Sequence, residues 1–349
     1  MEYTYLKDVC SITMGQSPES SSYNEDGEGV PFFQGNADFG EMYPCVRVWS
    51  NEPKKMASAN DILISVRAPI GALNYAKEEC CIGRGLAAIT PSSKVNLKYI
   101  YYLLKAKNSE LNSKGTGSTF KAIGKSVLEE TLVPMISMDE QSDIVSKIER
   151  TEEIIRKRRE QLLELDNLIK SRFVEMFYDK GYPVLKWNDV FETTTGKLDS
   201  NAMVENGEYP FFTCAKEVFR IDKYAFDQEA LLLAGNNAAG KYDVKHYKGK
   251  FNAYQRTYVL GLKEDWSYQL FRYQLEDKLT YLQQKSLGGL TKYLTIKILG
   301  ELEFIIPPID LQYEFEKFVQ QVDKLKFEVQ KSLDETQTLM DSLMQQYFG

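Results

Sequence analysis

The feature that most constrains this chain is that it repeats itself. Writing residues 96–178 above residues 267–349, at a constant offset of 171, brings KGTGSTFKAIGKSVLEETLVP over KSLGGLTKYLTIKILGELEFI. Lys114 falls on Lys285, Gly117 on Gly288, Lys121 on Lys292 and Leu128 on Leu299; further on, Gln141 meets Gln312, Ser171 meets Ser342 and Phe177 meets Phe348. Upstream the match continues at shifted offsets: KDVCSITMG resembles NDVFETTTG, VPFFQGN resembles YPFFTCA, and Arg84 in GRGLAAI pairs with Arg256 in QRTYVLG. A register that is constant in one part and sliding in another predicts one scaffold used twice, with loops of unequal length.

Each copy has two textures. Residues 1–138 and 179–309 mix short apolar runs such as DILISV and EALLLA with Gly, Asn and Pro punctuation, and each holds one helix-like stretch with Asn96 or Ser267 as its cap. Residues 139–178 and 310–349 are free of proline and keep an apolar heptad step through Ile144, Ile148, Ile155, Leu162, Leu165, Ile169 and Met176, then Phe315, Val319, Val322, Val329, Leu333, Met340, Leu343 and Tyr347. Forty helical residues span about 60 Å. The expected fold is α+β: two similar mixed α/β domains separated by two long helices that pair as an antiparallel coiled coil, with an internal pseudo-two-fold repeat. The expected boundaries are 1–138, 139–178, 179–309 and 310–349.

Several chemistries are excluded along the way. No apolar run is long enough for a membrane span, and MEYTYLKDVC has no basic start followed by an apolar core, so a cytoplasmic location is expected. The five cysteines (Cys10, Cys45, Cys80, Cys81 and Cys214) form no C-x-x-C pair and read as buried free thiols. Gly235, Gly240 and Lys241 in LLLAGNNAAGKYD nearly spell a phosphate loop, but Tyr242 stands where Ser or Thr should bind magnesium. The first copy, ISVRAPIGAL, keeps the strand and turn but not the loop's glycine and lysine, and the stretch after Lys241 reads as strands where a helix is needed. The single histidine, His246, cannot build a metal cluster and has no nucleophile elbow beside it. No catalytic constellation or cofactor site is expected in this chain.

Two similar but unequal modules on a rigid helical spacer suit a receptor that measures the distance between two different patches of one extended ligand, and duplex DNA is the commonest such ligand. The duplication, the PMISMDEQ and PPIDLQ starts of the long helices and their SRFVEMF and SLMQQYF ends together resemble the specificity subunit of Type I restriction-modification systems. The resemblance covers essentially the whole chain. It implies two target-recognition domains, each reading one half of a bipartite double-stranded DNA site, and paired helices that set the gap. It also implies two modification (methyltransferase) subunits docked on the helices, which bind S-adenosylmethionine and methylate adenine, with ATP-dependent restriction subunits as further partners. A methylase without a nuclease, or a fused Type II relative's reader, fits the same pattern. The rival reading is a coiled-coil scaffold with two protein-binding modules and no DNA role.

Charge tests the DNA reading, because the chain is net −7. Lys plus Arg against Asp plus Glu runs 14 to 15 over residues 1–138 and 17 to 17 over 179–309, so the acid sits on the helices, at 8 to 10 and 4 to 8. Each module is near neutral and free to present a local basic face, and partners are expected to supply much of the phosphate contact. Base edges are read by Arg, Asn, Gln, Ser and Thr. In the first module these are Gln34, Asn36, Arg67, Arg84, Thr116, Ser118 and Thr119; in the second, Thr213, Lys216, Asn236, Asn237, Lys241, Gln255 and Arg256. Repeat-matched Lys114, Lys121, Lys285 and Lys292 are assigned to phosphates. A buried ion pair is the competing role for Arg84 and Arg256, and a solvated loop side chain for each of the others.

Overall fold

The computed structural model describes residues 2–117, 121–238 and 240–349. It divides into two compact units, one of Met1–Arg159 with Gln330–Gly349 and one of Glu160–Val329.

In the first unit an antiparallel sheet runs in the order Cys10–Met14, Leu86–Pro91, Ile62–Ser65, Leu73–Tyr75. A second sheet holds Tyr23–Asn24, Trp49–Ser50, Val30–Phe33, Cys80–Ile82 and Met56–Ala57, with Val30–Phe33 parallel to Cys80–Ile82. Ile62, Leu63 and Ile64 are all fully buried, because one face of their strand packs on the helices and the other on the second sheet. In the second unit the corresponding strands form one six-stranded sheet: Phe191–Thr195, Thr257–Leu262, Phe226–Ala234, Val244–Ala253, Tyr209–Phe212, Phe219–Ile221. The strand Val244–Ala253 is long enough to pair with Phe226–Ala234 along most of its length and with Tyr209–Phe212 at its end. That joins what the first unit keeps as two sheets.

Each unit has its capped helix. The Asn96 side chain accepts from the Lys98 and Tyr99 amides, and the Ser267 hydroxyl accepts from the Leu270 amide. The sequence predicted one helix after each cap. The structure instead breaks each stretch in two, at Lys107 between Leu97–Ala106 and Asn108–Ser113, and at Lys278 between Tyr268–Asp277 and Leu279–Lys285. Both lysines have ψ near 0° (4° and −3°), which ends the ladder and turns the chain. Of the five thiols, Cys10, Cys80 and Cys81 are buried, whereas Cys45 is exposed and Cys214 half-buried, since both lie in loops outside the sheets.

The two long helices are Met138–Phe177 and Ile309–Phe348. The first begins in the first unit and ends in the second; the other does the reverse. In the first unit Ile144, Ile148 and Ile155 share a core cluster with Met340 and Phe348, and Phe348 packs on Tyr99 with ring centroids 5.1 Å apart. In the second unit Ile169 and Phe177 cluster with Phe315, Val319 and Val322. There Arg172 pairs with Glu314 at 2.7 Å and Asp166 with Lys326 at 2.6 Å, so these two segments run antiparallel. No helix among the described residues is long and apolar enough to cross a membrane.

A buried glutamine fastens each module to the helix that comes after it. Gln141 accepts from the Asn96 amide at 2.8 Å and donates to the Ile136 carbonyl at 3.0 Å. Gln312 accepts from the Ser267 amide at 3.1 Å and donates to the Pro307 carbonyl at 2.9 Å. All three positions in each set differ by 171, so the repeat extends to individual hydrogen bonds. Both side chains are almost wholly buried, where an unmade bond costs more than a made one contributes.

Candidate nucleic-acid interface

In the first unit the polar candidates meet along one edge, built from main-chain bonds between strand ends. The Gln34 carbonyl accepts from the Gly85 amide at 3.1 Å, the Gly85 carbonyl from the Val66 amide at 2.9 Å, and the Val66 carbonyl from the Ile123 amide at 2.9 Å. The next step is a small hairpin in which Thr116 and Ala122 exchange two bonds of 2.9 Å. Arg67 lies opposite Ala122, and the Lys121 carbonyl accepts from the Ala68 amide at 3.0 Å. Gln34, Arg84, Arg67, Lys121 and Thr116 therefore stand on adjoining chain segments, and all five are exposed. Half-buried Asn36 opens the turn Asn36–Asp38, where the Asp38 carboxylate accepts from the Gln34 and Gly35 amides. Arg47, which the sequence did not single out, pairs with Asp38 and donates to the Ala37 carbonyl at 2.8 Å, bracing that turn.

The second unit repeats this edge. The Gly235 amide donates to the Arg256 carbonyl and the Leu294 amide to the Gly235 carbonyl, both at 2.8 Å. Leu287 and Tyr293 exchange bonds of 3.0 and 2.9 Å, and Asn236–Asn237 pairs with Lys292–Tyr293. Gly117 and Gly288, with φ of +118° and +101°, turn the two hairpins in a region that favours glycine.

These bonds correct the alignment of the arginines. Leu86 pairs with Ser65 in the first unit and Thr257 with Ala234 in the second, so Arg256 occupies the place of Gly85, and Arg84 corresponds to Gln255. The identity match had slid by one residue, which a string comparison cannot detect in a strand-end loop. Arg84, Gln255 and Arg256 are all exposed, so a buried ion pair is not the role of either arginine. By the same bonds, Phe33 accepts from Gly83 and Phe212 from Tyr254, which puts Thr213 in the place of Gln34. Thr213 is buried and its hydroxyl accepts from the Ala215 amide at 3.1 Å, a bond that shapes the loop.

The remaining candidates divide simply. Lys216 and Lys241 are exposed, and Asn236, Asn237 and Lys292 half-buried. Lys114 pairs with Glu110 at 2.6 Å, while Lys285 lies 5.6 Å from the Tyr281 ring centroid, so the two lysines rest on matched helix positions. Ser118 and Thr119 lie outside the described residues. The stretch after Lys241 enters the strand Val244–Ala253, where a phosphate loop would lead into a helix N-terminus. Half-buried His246 is 2.9 Å from Glu229 and stacks on Tyr268, a packed position within the sheet. Burial pushes the Cys10 and Cys80 thiols up to about 12, far from a reactive thiolate. Among the described residues no group of three or more His, Cys, Asp and Glu could hold a metal ion.

The likeness to known proteins points the same way. The family model for the Type I restriction modification DNA specificity domain matches residues 1–165 and again 179–336. A Methanocaldococcus jannaschii chain described as the MjaX type I restriction enzyme specificity subunit is 44% identical over 155 residues, 43% of this chain and 36% of that relative. The matched part is therefore about a third of that relative's length. The MjaIX specificity subunit of the same organism is 22% identical over 394 residues, covering 97% of this chain and 90% of its own. A crystal structure of the Type-I restriction-modification system S subunit from M. genitalium shares the fold, with a TM-score of 0.65 at 18% identity, over 100% of this chain and 96% of that one. With the family model matched twice and the repeat visible in single hydrogen bonds, this chain belongs to the Type I restriction-modification DNA specificity family.

Proposed function

We propose that the chain is the DNA-reading subunit of a Type I restriction-modification complex and that each unit reads one half of a bipartite site. The observation that carries this is the pair of matching edges. Their backbone frames share the main-chain bonds at Val66 and Gly235, at Ile123 and Leu294, and across the two hairpins, yet the side chains they present differ, which is what reading two unlike half-sites requires. Residues 283–297 hold three lysines and no Asp or Glu, a local basic surface on an acidic chain; in the first hairpin Lys114 and Lys125 pair with Glu110 and Glu129, and Lys121 carries the local positive charge. Arg67, Arg84 and Gln34 on one edge, and Arg256, Gln255, Asn236 and Asn237 on the other, are the base readers. Lys121 and Lys292 take phosphates.

The long helices dock methyltransferase subunits and fix the gap between the half-sites. Support comes from large apolar side chains they leave in solvent: Leu163, Val174, Leu325 and Phe327 are 53% to 68% exposed. S-adenosylmethionine is bound, in this reading, by those subunits, and the chain itself performs no chemistry. Methylome sequencing of the source cell with and without the gene tests the proposal. Loss of one bipartite adenine-methylation motif is expected; persistence of every motif while the neighbouring methylase is expressed would contradict it and favour a protein-binding scaffold.

A further inference from the structure

The readers named above on the second edge are all hydrogen-bonding side chains, yet the most exposed large apolar side chain among the described residues sits on the same edge. Leu290 is 95% exposed at the tip of the hairpin that Leu287 and Tyr293 close. The tip is held in place. Two bonds join Leu287 to Tyr293, Asn237 pairs with Lys292 beside them, and a Cβ at Gly288 would lie 2.2 Å from the Thr291 carbonyl oxygen, so the turn needs its glycine. Gly289 gives the leucine no shielding neighbour, and Leu287 and Tyr293 are themselves 47% and 41% exposed.

An apolar tip of this kind could meet a protein groove or a nucleic acid, and its surroundings decide between them. Lys285, Lys292 and Lys297 flank it with no carboxylate in residues 283–297, and Lys241 with Asn236 and Asn237 stands on the adjoining loop. Cations and amides around a single apolar group match a polyanion that carries an occasional methyl. In the major groove each base pair shows donors and acceptors, and the one apolar group there is the C5-methyl of thymine. We propose that Leu290 is a specificity-determining residue that touches a thymine methyl in the half-site read by the second unit. This rests on the DNA-reading function proposed above.

The test uses the full chain purified with its methyltransferase subunits and a duplex carrying the methylated bipartite site. Each thymine of the two half-sites is replaced in turn by deoxyuridine, which removes the methyl and nothing else. One replacement should weaken wild-type binding about fourfold, the effect of one buried methyl-sized group. With Leu290→Ala the same uridine and thymine duplexes should bind equally, while uridines elsewhere behave as in the wild type. Leu290 is fully in solvent, so this variant leaves the fold intact, and Leu290→Met should retain the thymine preference in part. Wild-type binding unaffected by every uridine, or discrimination that survives Leu290→Ala, would overturn the assignment. An assembly that fails to prefer its site over a scrambled duplex would overturn the DNA reading itself, and that control is seen before any uridine is introduced.

Discussion

The edges of the two units share a backbone frame but take their side chains from different strands. In the first, the place after the Val30–Phe33 strand holds exposed Gln34, and the place before the Leu86–Pro91 strand holds Gly85, whose missing Cβ would lie 2.3 Å from the Gln34 carbonyl. In the second, the matching places hold buried Thr213 and exposed Arg256. The hairpins differ in the same manner, with Thr116 and Ala122 where the other has Leu287 and Tyr293. Apart from glycines at the turns, the frame is fixed by main-chain bonds that most side chains leave open, so the exposed residues on it can differ between the units without disturbing the core. The glutamine clamps are the opposite case, since each is the side chain that satisfies two specific buried main-chain groups.

That contrast is broken or sharpened by a graded set of substitutions. Gln141→Leu and Gln312→Leu each orphan a buried amide and a carbonyl, and each should destabilise its unit by about 3 kcal/mol, read as a lower calorimetric Tm. A large loss from one and none from the other would end the equivalence of the two clamps. Arg256→Ala should cost about 2 kcal/mol at one base pair, relaxing a single position in one half-site and leaving the other half untouched. Gly85→Arg places the second edge's side chain on the first; its Cβ contact should cost about 1–2 kcal/mol of stability, whereas Arg256→Gly should fold normally. Lys121→Ala and Lys292→Ala should each weaken binding to all sequences alike and flatten the salt dependence by about one unit of slope.

The smallest effect separates the starts of the long helices. The Ser137 hydroxyl and amide donate to the Glu140 carboxylate, holding it below the ordinary glutamate range, whereas Pro308 and Leu311 stand at the matching places of the second helix and can form no such box. A lowered carboxylate pKa adds stability at neutral pH that is lost as pH falls through the folded-state value. Amide protection, taken relative to the intrinsic exchange rate at each pH, should therefore fall in acid more near residues 138–141 than at residues 309–312; an equal fall would show that the box contributes nothing.

How much of this the sequence carried depends on the kind of signal. The long helices were legible because heptad spacing over forty residues leaves one periodicity, and the caps Asn96 and Ser267 because a polar residue before an amphipathic run has one common use. The clamps were visible only as matched letters; that Gln141 and Gln312 are buried needed the fold. Strand-end register was not legible, because a one-residue slip between Arg84 and Arg256 leaves the local pattern unchanged. Leu290 was missed for a related reason: a leucine in a loop carries no sign of whether it is buried, and Gly288-Gly289 marks only a turn.

The central claim is that the two edges read their half-sites independently. The most direct measurement is the methylome of cells in which Asn236, Asn237, Arg256 and Lys292 are all replaced by alanine. The account predicts that methylation at the original bipartite motif falls and that any remaining motif is degraded in one half only, with the other half's bases unchanged. A variant that still methylates the full original motif, or one whose surviving motif is altered in both halves, would contradict it.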